Sequence, residues 1–167
     1  DKATASFPQA GWTGEQDWKS FVPFEEMPYA LNPEKGYVIT ANHKIEPDDF
    51  PHFLGDIYMN GYRADRLEKM LQRKEKSDAK DYIEMQMDFH CTPGKLFAAH
   101  FKNIHFDELD LQRNLELLIH WDGNLSADKV EGSLYNVSKL MIVRKVFESA
   151  IHDKQLVDEL LGKGFNA

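Results

Sequence analysis

The sequence has a single cysteine, Cys91, so it can form no internal disulfide and no cysteine-rich zinc site. One thiol leaves the redox compartment open. Long apolar runs are also missing: none approaches the roughly 18 residues of a membrane helix, and no membrane span is expected. Positive charge is scarce, with 20 Lys and Arg against 28 Asp and Glu and a formal net charge of −8. That balance argues against nucleic acid as a partner, because such binding depends on neutralising phosphates. The run Arg73-Lys74-Glu75-Lys76 is interrupted by glutamate and reads as a solvated helix end. The first residues, Asp1 to Ser6, lack a basic stretch followed by an apolar one, so they do not read as a signal peptide. For a piece of a longer protein, that says nothing about where the parent works.

Proline is nearly absent from the second part of the chain. Six of the seven prolines (Pro8, Pro23, Pro28, Pro33, Pro47 and Pro51) fall in residues 1–62, with only Pro93 beyond. That density excludes long helices from the first part, which is rich in aromatics and reads as an irregular arm. Its clearest strand candidate is 37–41, within Gly36-Tyr37-Val38-Ile39-Thr40-Ala41 and preceded by the turn signal Asn32-Pro33-Glu34-Lys35-Gly36. From Tyr62 onward the apolar spacing is helical. Leu67, Met70 and Leu71 give a first stripe. Ser77 is placed to cap a second helix running through Ile83 and Met87 to Cys91, which Pro93-Gly94 should break or kink. Asp107 should open a third, carrying Leu111, Leu115, Leu118 and Ile119, with Gly123 past its end. A long helix over about 132–151 and a short amphipathic one before Gly162 complete the pattern.

The expected fold class is α+β but predominantly helical: an arm over 1–62 with one or two strands, then a helical region over 63–167. An arm with one strand and no second sheet layer is unbalanced for an independent domain, so both regions are expected to be parts of one larger domain. An orphan strand and an apolar arm (Phe7, Trp12, Trp18, Phe21, Phe24) need covering, so a dimer or arm swap is expected if the chain is isolated.

Several pieces, in order, resemble the penicillin acylase (penicillin amidase) family. They are Gly11-Trp12-Thr13-Gly14-Glu15, the stretch from Phe24 to Pro28, and Asn32-Pro33-Glu34-Lys35-Gly36-Tyr37-Val38-Ile39-Thr40-Ala41-Asn42-His43-Lys44. Then come Phe50-Pro51-His52-Phe53-Leu54-Gly55 with Tyr62-Arg63-Ala64-Asp65-Arg66-Leu67, Met85-Gln86-Met87-Asp88 and Trp121-Asp122-Gly123. Family members are N-terminal nucleophile hydrolases of four-layer αββα fold, in which a serine freed by self-cleavage attacks an amide with its own α-amino group as base. Neither Asp1 nor Ser6 sits in that serine's context, so the resemblance implies an internal fragment of the nucleophile-bearing subunit. Its partners would be the remaining segments of the same precursor and a small-molecule acyl amide. The family suggests a periplasmic or extracellular parent.

By the same resemblance, Asn42 would donate its side-chain amide to the oxyanion, and Arg63 would orient Asn42 or bind a substrate carboxylate. The competing reading of Arg63 is a surface ion pair with Asp65 or Glu26. His43 need not act as base here and is placed as a substrate contact or a support of the site. No cofactor is needed for the chemistry. A structural calcium occurs in the family, and Asp56 is the nearest carboxylate for it, with the Pro8 carbonyl a contributor and Asp48-Asp49 a competing pair. His90-Cys91 are adjacent on a predicted helix and do not face each other, and His90, His100 and His105 lack zinc-site spacing. Gln86, Asp88, Trp121 and Asp122 read as buried hydrogen-bonding and capping residues. The alternative from a different class is a non-catalytic helical module that binds a protein.

Overall fold

The computed structural model describes residues 8–162, and Phe7 lies outside them. Six α-helices account for the regular structure: α1 (Tyr62–Leu71), α2 (Ala79–Gln86), α3 (Thr92–Ala99), α4 (Leu109–His120), α5 (Val130–Ala150) and α6 (Lys154–Leu160). Before them the described residues of the arm make two 3-10 turns, at Gly11–Thr13 and Phe24–Glu26. The chain divides into two compact units between Met85 and Gln86. The first unit therefore joins the arm to α1, whereas local structure changes from irregular to helical at Tyr62.

The expected strand at 37–41 does not form: among the described residues there is no strand, and the one β-bridge is His90 with Asn124. A strand exists through its ladder, and no segment of the described chain offers one. Instead the stretch is held by side chains to α1. Tyr37 donates from its hydroxyl to Glu68 at 3.2 Å and accepts from Gln72 at 3.2 Å, with Lys35 beside Glu68 and over the Tyr37 ring.

The second helix also departs from expectation. Ser77 is not its cap. The Asp78 side chain accepts from the amides of Lys80 and Asp81, while the Asp78 amide donates to the Asp81 carboxylate. This is a capping box with Asp in the position more often held by Glu. Asp81 is buried, and the Lys74 ammonium bonded to it holds its carboxyl below the usual range, helped by the Asp78 amide. A lowered carboxyl pKa adds stability above the unfolded value of about 3.9, lost as pH falls through the lower folded value. Asp81→Asn should therefore speed amide exchange in α2 at neutral pH. The gap to wild type should close as pH falls below about 4, which exchange mass spectrometry can follow.

The second unit is built round Trp121, which is 1% exposed and sits with Ala98, Leu118 and Tyr135. Pro93 does not break a helix here. Helix α2 already ends at Gln86, and Pro93 lies in the first turn of α3, where a missing N–H costs nothing. Gly94 then brings the α3 backbone against the indole, since a Cβ there would stand 2.5 Å from the ring. The indole N–H donates to the Asn124 carbonyl at 2.9 Å, and Lys95 reaches the Trp121 carbonyl at 2.6 Å. Gly123 turns the chain with φ of +88°. Arg144 and Asp158 join α5 to α6 at 2.8 Å.

Candidate functional site

The site expected from the sequence lies in the first unit, where 37–43 meets the start of α1. Asn42 ends that segment in the left-handed region, with φ of +58°. Asparagine tolerates this conformation better than most residues, though it remains uncommon and points to a constraint. Ala41, just before it, is 5% exposed, so its backbone polar groups must find partners without a ladder. Its carbonyl accepts from the Arg63 guanidinium at 2.7 Å, and its amide donates to Nδ1 of His43 at 3.3 Å. The Asn42 carbonyl accepts from the amide of Met59 at 2.8 Å. The turn is thus pinned from three directions.

Arg63 is brought to this turn by α1, where it sits in the first turn after Gly61. One nitrogen, Nη2, bonds both the Ala41 carbonyl and, at 2.8 Å, Oδ1 of Asn42. The two carboxylates of the surface-pair reading bond other groups, Asp65 to Lys69 and Glu26 to His52. Guanidinium carries donors only, so the Asn42 atom facing it must be the oxygen. That fixes the amide: Oδ1 is committed to Arg63, and Nδ2 with its two N–H donors is turned the other way. Asn42 and Arg63 are both exposed, so the donor is accessible on this surface. The bond to Ala41 makes His43 Nδ1 an acceptor, so the neutral ring carries its proton on Nε2.

Beyond the turn, residues 44–56 curve round a concavity lined by Phe50, Phe53, Asp48 and Asp56 among others. Most of its charges are already engaged. Lys44 bonds Asp48, raising its own pKa and lowering that of the carboxyl, and the Tyr58 hydroxyl donates to Glu46 and lowers its pKa in turn. Asp56 is exposed at the rim. No group of three or more His, Cys, Asp or Glu side chains is close enough to hold a metal among the described residues.

The remaining candidates are structural in their surroundings. Cys91 precedes α3 and packs against the Trp121 core, and its amide donates to the Gly123 carbonyl at 2.7 Å. Asp122 accepts from the Asn124 amide at 2.9 Å and from Lys129, whose charge holds its carboxyl below the usual range. No helix among the described residues is long and apolar enough to cross a membrane. Two contributors escaped the sequence reading, the Met59 amide and the Ala41 backbone. Neither leaves a signal in residue type, because both act through the main chain.

Comparison with known proteins agrees with the motif pattern. The chain is 29% identical over 150 residues to the penicillin acylase 2 proenzyme of Pseudomonas sp. strain SE83, covering 86% of this chain and 19% of that protein. It is 25% identical over 158 residues to the acyl-homoserine lactone acylase QuiP of Pseudomonas syringae pv. tomato, covering 84% of this chain and 19% of the relative. The same acylase of Pseudomonas aeruginosa is 24% identical over 159 residues, covering 84% of this chain and 18% of the relative. The chain thus spans about a fifth of the length of these relatives. The penicillin amidase family model matches residues 1–165, and the chain belongs to that family.

Proposed function

We propose that this chain is a segment of a larger amidohydrolase, cleaving the acyl amide bond of N-acyl compounds, and that it supplies the oxyanion donor through Asn42. The observation that carries this is the bond from Arg63 to Asn42 Oδ1, which leaves the Nδ2 N–H groups as the donors of that amide. An amide carbonyl under attack gains negative charge on oxygen. A neutral donor held in place stabilises that charge without reorganising and without an ion pair in the ground state. The attacking serine and its α-amino base, in the manner of the family, would come from another segment of the precursor. The relatives' names support penicillin-type β-lactams or acyl homoserine lactones as the substrate class.

The same reading accounts for the arm. Trp12, Trp18 and Phe21 are 89%, 94% and 92% exposed, far more than aromatic side chains tolerate in a finished fold. The remaining segments would cover them, supply the ladder that 37–41 lacks, and complete the αββα layers. Asp56 would add one oxygen ligand to a calcium whose other ligands lie elsewhere.

Arg63 separates orientation from substrate binding. In the processed full-length enzyme, Arg63→Ala should lower kcat about tenfold with KM within about twofold, because only the aim of the Asn42 amide is lost. Steady-state kinetics on an acyl amide gives the answer. A raised KM with kcat intact would place the guanidinium on a substrate carboxylate.

A further inference from the structure

We propose that His43 is a positioning residue of the oxyanion turn, acting through Nδ1 on the Ala41 amide and not through contact with substrate. The inference rests on the assignment of Asn42 as the oxyanion donor and adds the device that holds its backbone. Ala41 is 5% exposed, and neither of its main-chain polar groups has a ladder partner. The carbonyl is met by Arg63 at 2.7 Å and the amide by the His43 ring at 3.3 Å. Both bonds flank Asn42, whose φ of +58° lies in the left-handed region, uncommon even for asparagine, which tolerates it better than most residues. Without the ring acceptor, the buried Ala41 N–H is left without a partner, and the turn can satisfy it only by rearranging. Rearrangement carries Asn42 out of the left-handed region and re-aims Nδ2.

Which ring nitrogen matters can be tested by shape. Asparagine places Oδ1 where Nδ1 of histidine sits, and glutamine places its amide near Nε2. His43→Asn, His43→Gln and His43→Ala are made in the full-length enzyme, with self-cleavage checked by gel and kcat and KM measured on an acyl amide. His43→Asn should stay within about threefold of wild type, while His43→Gln and His43→Ala should lose about tenfold in kcat with KM little changed. If His43→Ala fails to process, the Asn and Gln variants decide. A glutamine variant that keeps activity while the asparagine variant raises KM would put Nε2 on the substrate and overturn the proposal. Three variants that all match wild type, or all lose activity alike, would overturn it too. Asn42→Ala measured in parallel tests the underlying assignment separately: a silent Asn42→Ala removes the oxyanion role whatever His43 does.

Discussion

Asn42→Ala in the full-length enzyme should lower kcat on an acyl amide by on the order of 10² to 10³, with a smaller change in KM. The loss corresponds to about 3–4 kcal/mol of barrier, the usual effect of removing one preorganised oxyanion donor. It falls on kcat because the hydrogen bond matters chiefly once the tetrahedral oxyanion has formed. Alanine at φ of +58° brings backbone strain of its own, about 1–2 kcal/mol. Asn42→Gly removes the side chain without that strain and should show the same loss of kcat. His43→Ala should cost much less than either, since the proposed base is the α-amino group of a serine on another segment and not an imidazole. The reverse order, with His43→Ala inactive and Asn42→Ala nearly silent, would mean a different chemistry.

Trp121→Ala should be the most damaging single change to the second unit. The side chain is 1% exposed, packs with Ala98, Leu118 and Tyr135, and lies under the α3 backbone at Gly94. Truncating a buried Trp costs about 3–5 kcal/mol, as lost transfer energy plus the cavity left behind. Its N–H bond to the Asn124 carbonyl goes as well. Main-chain hydrogen bonds join Cys91 to Gly123 and Leu125 to Phe89 on either side of this core residue's loop. Amide exchange in α3, α4 and α5 should accelerate by on the order of 10² or more, given tenfold per 1.36 kcal/mol. Exchange in α1 of the first unit serves as the internal reference. Unchanged protection in α3 to α5 would mean that the core can collapse onto the cavity.

The helices were legible where one apolar face recurs at helical spacing. Leu115 and Leu118 mark α4, and Val157 marks α6. The misreadings have distinct causes. Residues 37–41 have strand composition, but composition cannot show whether a partner strand is present. Pro93 reads as a breaker from inside a helix and as a starter from its first turn, and the periodicity did not reveal that α2 stops at Gln86. Ser77 and Asp78 are both good caps, and only the reciprocal bond from Asp81 decides between them. Of the candidate site, Asn42 and Arg63 stood out only through family resemblance, because a sequence separation of 21 hides their contact. The calcium expectation at Asp56 came from family resemblance alone, since one exposed carboxylate carries no local metal pattern.

If Asn42 acts as a hydrogen-bond donor, Asn42→Asp should remove that donor and little else. Aspartate has nearly the same shape, also tolerates the left-handed region, and would keep the bond to Arg63 through one carboxylate oxygen. Only the donor is lost, replaced by an oxygen that repels the developing negative charge. The decisive measurement is kcat of the self-cleaved Asn42→Asp enzyme on an acyl amide. The expected loss is at least as large as that of Asn42→Ala, on the order of 10³ or more. Activity within about tenfold of wild type would show that Asn42 only terminates and shapes the turn, and would contradict the oxyanion assignment.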